Sequence, residues 1–251
     1  MGTVITLELA DPLPWHTLDA LARDVFRWLH AVDARYSTFR PDSEVCRFDR
    51  GAVTLSEASP EFRHVLERCA DLWVDTDGFF DAYATGGLDP SGFVKGWSAQ
   101  VASDRLVAAG AVSHCVNAGG DVRVRGRAPD GGPWRIGIQH PWRPDAACHA
   151  VQGTDIAVAT SGVYERGQHV LDPRSGGPAR GLRSVTVVGP DLGVADAYAT
   201  AAVAMGRAGL RWLGRLPDYE WAVVTDEGRF QRSSGLPSLD RPAVDRHPAD
   251  Q

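Results

Sequence analysis

The stretch Ser184–Gly206, SVTVVGPDLGVADAYATAAVAMG, constrains the fold more than any other part of the chain. It opens as a β-strand, turns at Gly-Pro-Asp, and enters a helix that carries Asp196 and Thr200. Residues four apart on a helix share one face, so a carboxylate and a hydroxyl stand together there. Both are hard oxygen ligands of the kind that suits Mg²⁺. Taken alone, the segment favours a plainer reading, with Asp196 as the helix N-cap and Thr200 as an ordinary small residue. The rest of the chain has to decide between the two.

Other segments add elements around this one. Apolar residues recur with helical spacing from Trp15 to Ala34, through Leu18, Leu21, Val25, Trp28, Leu29 and Val32. A second helix starts at Ser59-Pro60, with proline in the first helical position, and a third is predicted over Gly96–Ala109. Between the first two, YSTFRPDSEVCRFDRG reads as a loop. The N-terminal MGTVITLELA alternates like a strand. Further strands are predicted at Val112–Val116, Asp121–Arg125, Trp134–Gln139, Asp155–Ala159 and Arg183–Val188, with a helix at Ala208–Arg215 and a hairpin over Trp221–Thr225 and Arg229–Gln231. The pattern is α+β, a single domain with a largely antiparallel sheet flanked by helices. The 251 residues show no linker, which gives one domain over 1–235 and a Pro-, Asp- and Arg-rich tail over 236–251 that reads as disordered.

Composition excludes several function classes. With 26 Lys plus Arg against 32 Asp plus Glu, and no basic cluster, the chain is not expected to bind nucleic acid. No apolar run is long enough to span a membrane. The first residues lack the features of a signal peptide, so a cytoplasmic location is expected. Cys46, Cys69, Cys115 and Cys148 form no CxxC pair and read as free thiols.

Three segments are too polar and glycine-rich to be simple connectors. TDGFFDAYATGGLDPSGFVKGW (76–97) gathers Asp77, Asp81, Asp89 and Lys95 just before a helix. There a lysine and exposed backbone N–H groups would suit a phosphate, although the spacing is not that of a Walker A loop. NAGGDVRVRG (117–126) sets adjacent glycines between two strands, permitting either a bulge or a close approach to a ligand. AVATSGVYERGQHVLDPRSGGPA (157–179) places Thr160, Ser161, Tyr164, His169 and Asp172 in a loop between strands. A Ser161/His169/Asp172 hydrolase triad is disfavoured, because no G-x-S-x-G elbow surrounds Ser161.

Taken in order, MGT, STFRPDSEV, DGFFD, LDPSGFVKG, NAGGD, ATSGVYERG, HVLDP and ADAYATA resemble the motifs of the ApbE-like family of FAD:protein FMN transferases. The resemblance runs from Met1 to Gly206 and implies the ApbE-like, T-fold-like architecture. It implies a Mg²⁺-dependent enzyme that splits FAD, releases AMP, and attaches FMN through a phosphoester to a Thr or Ser of a target flavoprotein. The acceptor would carry a Ser/Thr-Gly-Ala-Ser/Thr-like segment.

By the same resemblance, Asp196, Thr200 and the backbone carbonyl of Gly92 hold the metal. FAD contacts fall on Met1, Phe39, Phe79, Phe80, Asp81, Asp89, Lys95 and Val170. His169 matches the histidine of the HxxDP motif and, with an ordinary pKa of about 6.5, is suited to take the acceptor's proton; Asp196 is its rival. Three departures stand out. The stretch between DGFFD and KG is shorter than in typical members, no Thr follows Asp81 in the usual place, and Gln100 replaces an acidic residue common after KG. A Mg²⁺-dependent FAD pyrophosphatase and a non-catalytic flavin carrier are the competing functions.

Overall fold

The computed structural model describes residues 3–162 and 170–239. In chain order its elements are β1 (Ile5–Leu9), α1 (Trp15–Tyr36), α2 (Glu44–Asp49), α3 (Pro60–Asp75), α4 (Ser91–Ala108), β2 (His114–Ala118), β3 (Asp121–Arg125), β4 (Trp134–His140), β5 (Arg143–Gly153), β6 (Asp155–Gly162), β7 (Leu182–Gly189), α5 (Leu192–Met205), α6 (Arg207–Leu213), β8 (Glu220–Thr225) and β9 (Phe230–Arg232). Seven strands form one sheet in the order β1-β2-β3-β6-β7-β8-β9, and β4 pairs with β5 in a separate hairpin. The pairings are antiparallel throughout. This is the α+β architecture that the sequence predicts.

Strand alternation assigns each face of the large sheet a different cover. Val116, Ala118, Ala157, Ala159, Val185, Val187 and Val223 point to one side and pack with residues of α1, α4 and α5. Val122, Val124, Val158, Val188 and Ala222 point to the other and meet Trp134, Ile136, Ile138 and Val151 of the hairpin. A third cluster joins α1, α2, α3 and α4 around Val32, Tyr36, Phe62, Leu72, Phe93 and Trp97. The helices start where the sequence supplies caps. Ser59 accepts the Phe62 N–H ahead of Pro60 in α3, and Ser43 does the same for Cys46 in α2.

Several boundaries differ from the sequence reading. Helix α2 lies inside the segment read as a loop; with six residues and only Val45 buried, it is too short to show a period. Helix α4 begins at Ser91, not Gly96, because Pro90 and the Asp89 side chain, which accepts the Ser91 N–H, start it earlier. Strand β5 was not anticipated, and β6 runs on through Gly162, so Thr160 and Ser161 lie on a strand rather than in a loop. Within the stretch read as a disordered tail, residues 236–239 are packed: Leu236 is buried, the Gln152 N–H donates to the Pro237 carbonyl, and Ser238 pairs with Val151. Residues 240–251 lie outside the described residues.

Apart from Asp196 and Thr200 on one face, helix α5 is largely apolar around its circumference, which demands burial on nearly every side. It lies against α4, β6 and β7, and its alanines permit that approach. Two glycines set the crossing with α4. A methyl group at Gly96 would overlap the Leu192 carbonyl, and one at Gly193 would stand 2.8 Å from the Phe93 ring. Gly96→Ala is therefore expected to destabilise the protein by about 1–3 kcal/mol, the usual cost of overpacking a close contact. A denaturant titration checks this, and an unchanged midpoint would refute the tight crossing.

Candidate functional site

The crossing of α4 and α5 brings together groups a hundred residues apart in the chain. Asp196 does not cap α5. That role belongs to Asp191, whose side chain accepts the Val194 N–H at 2.8 Å. Asp196 instead points from the second turn into the crossing, 1% exposed, and its Oδ2 accepts the Gly96 N–H at 3.1 Å. In a regular helix that N–H is directed at the carbonyl four residues back, here Gly92. Asp196 therefore competes with the Gly92 carbonyl for one donor. One turn along α5, Thr200 Oγ1 lies 3.0 Å from Ser161 Oγ on β6 and 3.6 Å from where a Gly92 Cβ would stand. Gly92, Thr200 and Asp196 thus line one small region.

Lys95 and Asp121 complete its charge. The Lys95 ammonium pairs with Asp121 Oδ2 and stands 3.6 Å from Asp196 Oδ1. Asp121 opens β3 on the sheet face that meets the helices; it is 1% exposed, and its Oδ1 accepts the Thr160 N–H at 3.0 Å. The sequence reading missed Asp121 as a site residue. Its signal was present in the NAGGD motif, where the glycines drew attention and the carboxylate beside them did not. Burial raises the Asp196 carboxyl well above its ordinary 3.8, Asp121 adds to the shift, and Lys95 and the Gly96 N–H oppose it.

The DGFF segment borders this region. Thr76 Oγ1 donates to the Leu72 carbonyl and accepts the Phe80 N–H, closing α3 into a turn in which Asp77 and Gly78 take φ of 54° and 79°. Phe80 is buried, and its ring lies 3.3 Å from the Gly92 Cβ position. The guanidinium of Arg174 stacks over Phe79, 4.3 Å from its centroid, and also pairs with Asp77. Asp81 accepts the Tyr83 N–H, and Asp89 accepts that of Ser91. The short stretch between them is closed by the Asp89 N–H to the Ala82 carbonyl and held by Asp49, which accepts the Leu88 N–H at 2.9 Å.

Phe39 is 94% exposed in the turn before α2, while Val170 is buried in the main core. Met1, Tyr164 and His169 lie outside the described residues. Gln100, the departure noted in the sequence, has a structural explanation. Its Oε1 accepts the Leu192 N–H at the start of α5 and its Nε2 donates to Asp104, both at 3.1 Å. A carboxylate could accept but not donate, and would face Asp104 with like charge.

The donor set fits a hard divalent cation. Among the described residues, two buried carboxylates share one ammonium, and hydroxyl and carbonyl oxygens lie beside them. Among the described residues no three His, Cys, Asp or Glu side chains are grouped to hold a metal by themselves. Mg²⁺ needs no such cage, because it commonly binds through one or two carboxylates with water and substrate phosphates.

Comparison with known proteins places these features in context. The ApbE family model matches residues 1–86 and 82–223, two segments that overlap just after DGFFD. A FAD:protein FMN transferase of Vibrio cholerae is 35% identical, the match covering 82% of this chain and 79% of that protein. Its counterpart in Haemophilus influenzae is 31% identical with the same coverage. Among solved structures, the flavin transferase ApbE from Vibrio cholerae superposes with a TM-score of 0.79 at 26% identity, covering 95% of this chain and 96% of that one. The ApbE protein of Thermotoga maritima superposes with a TM-score of 0.82 at 23% identity, over 93% and 94% of the two chains.

The raised Asp196 carboxyl has a consequence for stability. A carboxyl whose pKa is raised by folding lends stability that is fully present below its unfolded pKa of 3.8 and is lost as pH rises through the folded value. With a chelator present, the unfolding free energy should therefore fall as pH climbs above about 4. Asp196→Asn removes that loss. The variant should be more stable than the native chain at pH 7, with the gain vanishing toward pH 4, as read by denaturant titration at each pH. Equal stability at pH 7 would contradict the raised Asp196 carboxyl.

Proposed function

The chain belongs to the ApbE family, and from that premise we propose that it is a Mg²⁺-dependent FAD:protein FMN transferase. The observation that most supports this reading is the α4–α5 crossing, which sets Gly92, Thr200 and the buried Asp196 beside Lys95 and the DGFF segment. In the reading, the Asp196 carboxylate, the Thr200 hydroxyl and the Gly92 carbonyl hold the metal. When bound, Mg²⁺ would offset the charge of the FAD diphosphate and polarise the phosphoryl group under attack.

The chain's own residues do the rest. The Lys95 ammonium offers charge to a diphosphate oxygen. Phe79 and Phe80 provide an aromatic border at the N-terminal end of α4 for a ring of FAD, and Asp81 and Asp89 offer acceptors there. The acceptor hydroxyl attacks the flavin-side phosphorus, the bridging P–O bond breaks, and AMP leaves with the bridging oxygen. The product is an FMN phosphoester on a Thr or Ser, within a Ser/Thr-Gly-Ala-Ser/Thr-like segment of the target. We assign the hydroxyl's proton to His169 rather than Asp196. Asp196 is buried and committed to the Gly96 N–H, so it is poorly placed to exchange a proton with solvent.

Incubation with FAD, Mg²⁺ and an acceptor bearing that segment tests the proposal. A stable fluorescent band on the acceptor is expected, and Asp196→Ala should abolish it. Release of AMP and free FMN without labelling would instead establish a pyrophosphatase, and bound but intact FAD would establish a carrier. With His169 as base, kcat/KM should fall on the acid side as the imidazole takes up a proton. That limb should disappear in His169→Ala, whose residual activity no longer follows that proton; a limb that persists would return the role to Asp196.

A further inference from the structure

Asp121 belongs neither to the proposed metal ligands nor to the proposed FAD contacts, yet it is as deeply buried as Asp196. The Thr160 N–H on the neighbouring strand fixes its Oδ1, which leaves Oδ2 to hold the Lys95 ammonium. That ammonium comes from α4, whose Gly96 is the next residue and donates to Asp196 Oδ2. One lysine therefore stands between two buried carboxylates. It pairs directly with Asp121, and at 3.6 Å it lies beyond hydrogen-bond distance of Asp196 Oδ1.

We propose that Asp121 is a positioning residue that draws the Lys95 ammonium into a direct pair with itself and holds it 3.6 Å from Asp196 Oδ1, which leaves that oxygen open to a divalent cation. The inference rests on the metal site of the proposed function. Its basis is charge and reach. Lys95 lies within ion-pair distance of both carboxylates but pairs directly with Asp121, so its donors are directed there first. Without the Asp121 charge, Asp196 is the nearest carboxylate to Lys95 among the described residues, and a lysine's flexible stem readily closes a gap of that size. In a buried site that ion pair would be strong, and it would compete with the metal for the same oxygen. Asp121 thus selects which carboxylate the lysine neutralises. The same pairing holds the ammonium at the mouth of the region where a diphosphate would lie.

The test uses the full chain and Mn²⁺ alone, with free Mn²⁺ followed by electron paramagnetic resonance. Asp121→Asn keeps an acceptor for the Thr160 N–H and removes only the charge. It is expected to weaken Mn²⁺ binding by about tenfold or more, the scale at which supporting residues around metal sites act. Adding Lys95→Met should remove the competitor and return the affinity to that of the native chain, with thermal melts verifying that each variant is folded. Lys95→Met alone should tighten binding, which keeps the idea testable should Asp121→Asn fold poorly. Unchanged affinity in Asp121→Asn would overturn the proposal. So would a loss that Lys95→Met does not reverse, which would make Asp121 a direct ligand. Mn²⁺ binding in the native chain that survives Asp196→Ala would overturn the metal site itself, a different result from either.

Discussion

The contact between Gly96 on α4 and the Leu192–Asp196 turn of α5 is the constraint on which the rest of the site depends. Only a residue without a side chain lets the two helices approach this closely. That approach is what allows the Gly96 N–H to reach Asp196, places Gly92 beside Thr200, and lets Gln100 accept the Leu192 N–H. The sheet supplies the third side. Its alternation turns Asp121 and Ser161 toward the helices while their neighbours Val122 and Thr160 face away. A carboxylate buried at such a junction is costly unless something charged lies opposite. Lys95 offsets part of that cost, and a divalent cation would offset the remainder.

The departures of this chain from the common family pattern fit that frame. Gln100 exchanges a carboxylate for an amide without losing the acceptor that starts α5, and it gains a donor toward Asp104. The short stretch between Asp81 and Asp89 is anchored at Leu88 by Asp49 from α2, and Asp89 turns back to Ala82. These bonds define the helix entrance of α4, and with it the positions of Gly92 and Lys95.

Much of this was legible in the sequence. Asp196 and Thr200, spaced four apart, do share a face, and the DGFF and KG motifs do border them. The reading failed where the signal is tertiary. Nothing in ADAYATA says whether its aspartate caps the helix or enters a crossing; Asp191, five residues earlier, is the cap. Asp121 reads as a strand residue after a glycine turn, and its role appears only when β3 meets α4. Helix α2 and strand β5 were missed for a simpler reason: one is under two turns long, and the other is largely exposed and lacks clean alternation. His169 and Met1 rest on the family motifs alone.

We propose that one region, built where α4 crosses α5, holds a divalent cation against a flavin diphosphate. A crystal grown with FAD and Mn²⁺ and measured at the manganese edge tests it most directly. The account requires an anomalous peak within coordination distance of Asp196, Thr200 and the Gly92 carbonyl, with the diphosphate beside it and Lys95 still paired to Asp121. A peak elsewhere, or FAD bound with no metal at Asp196, would contradict it.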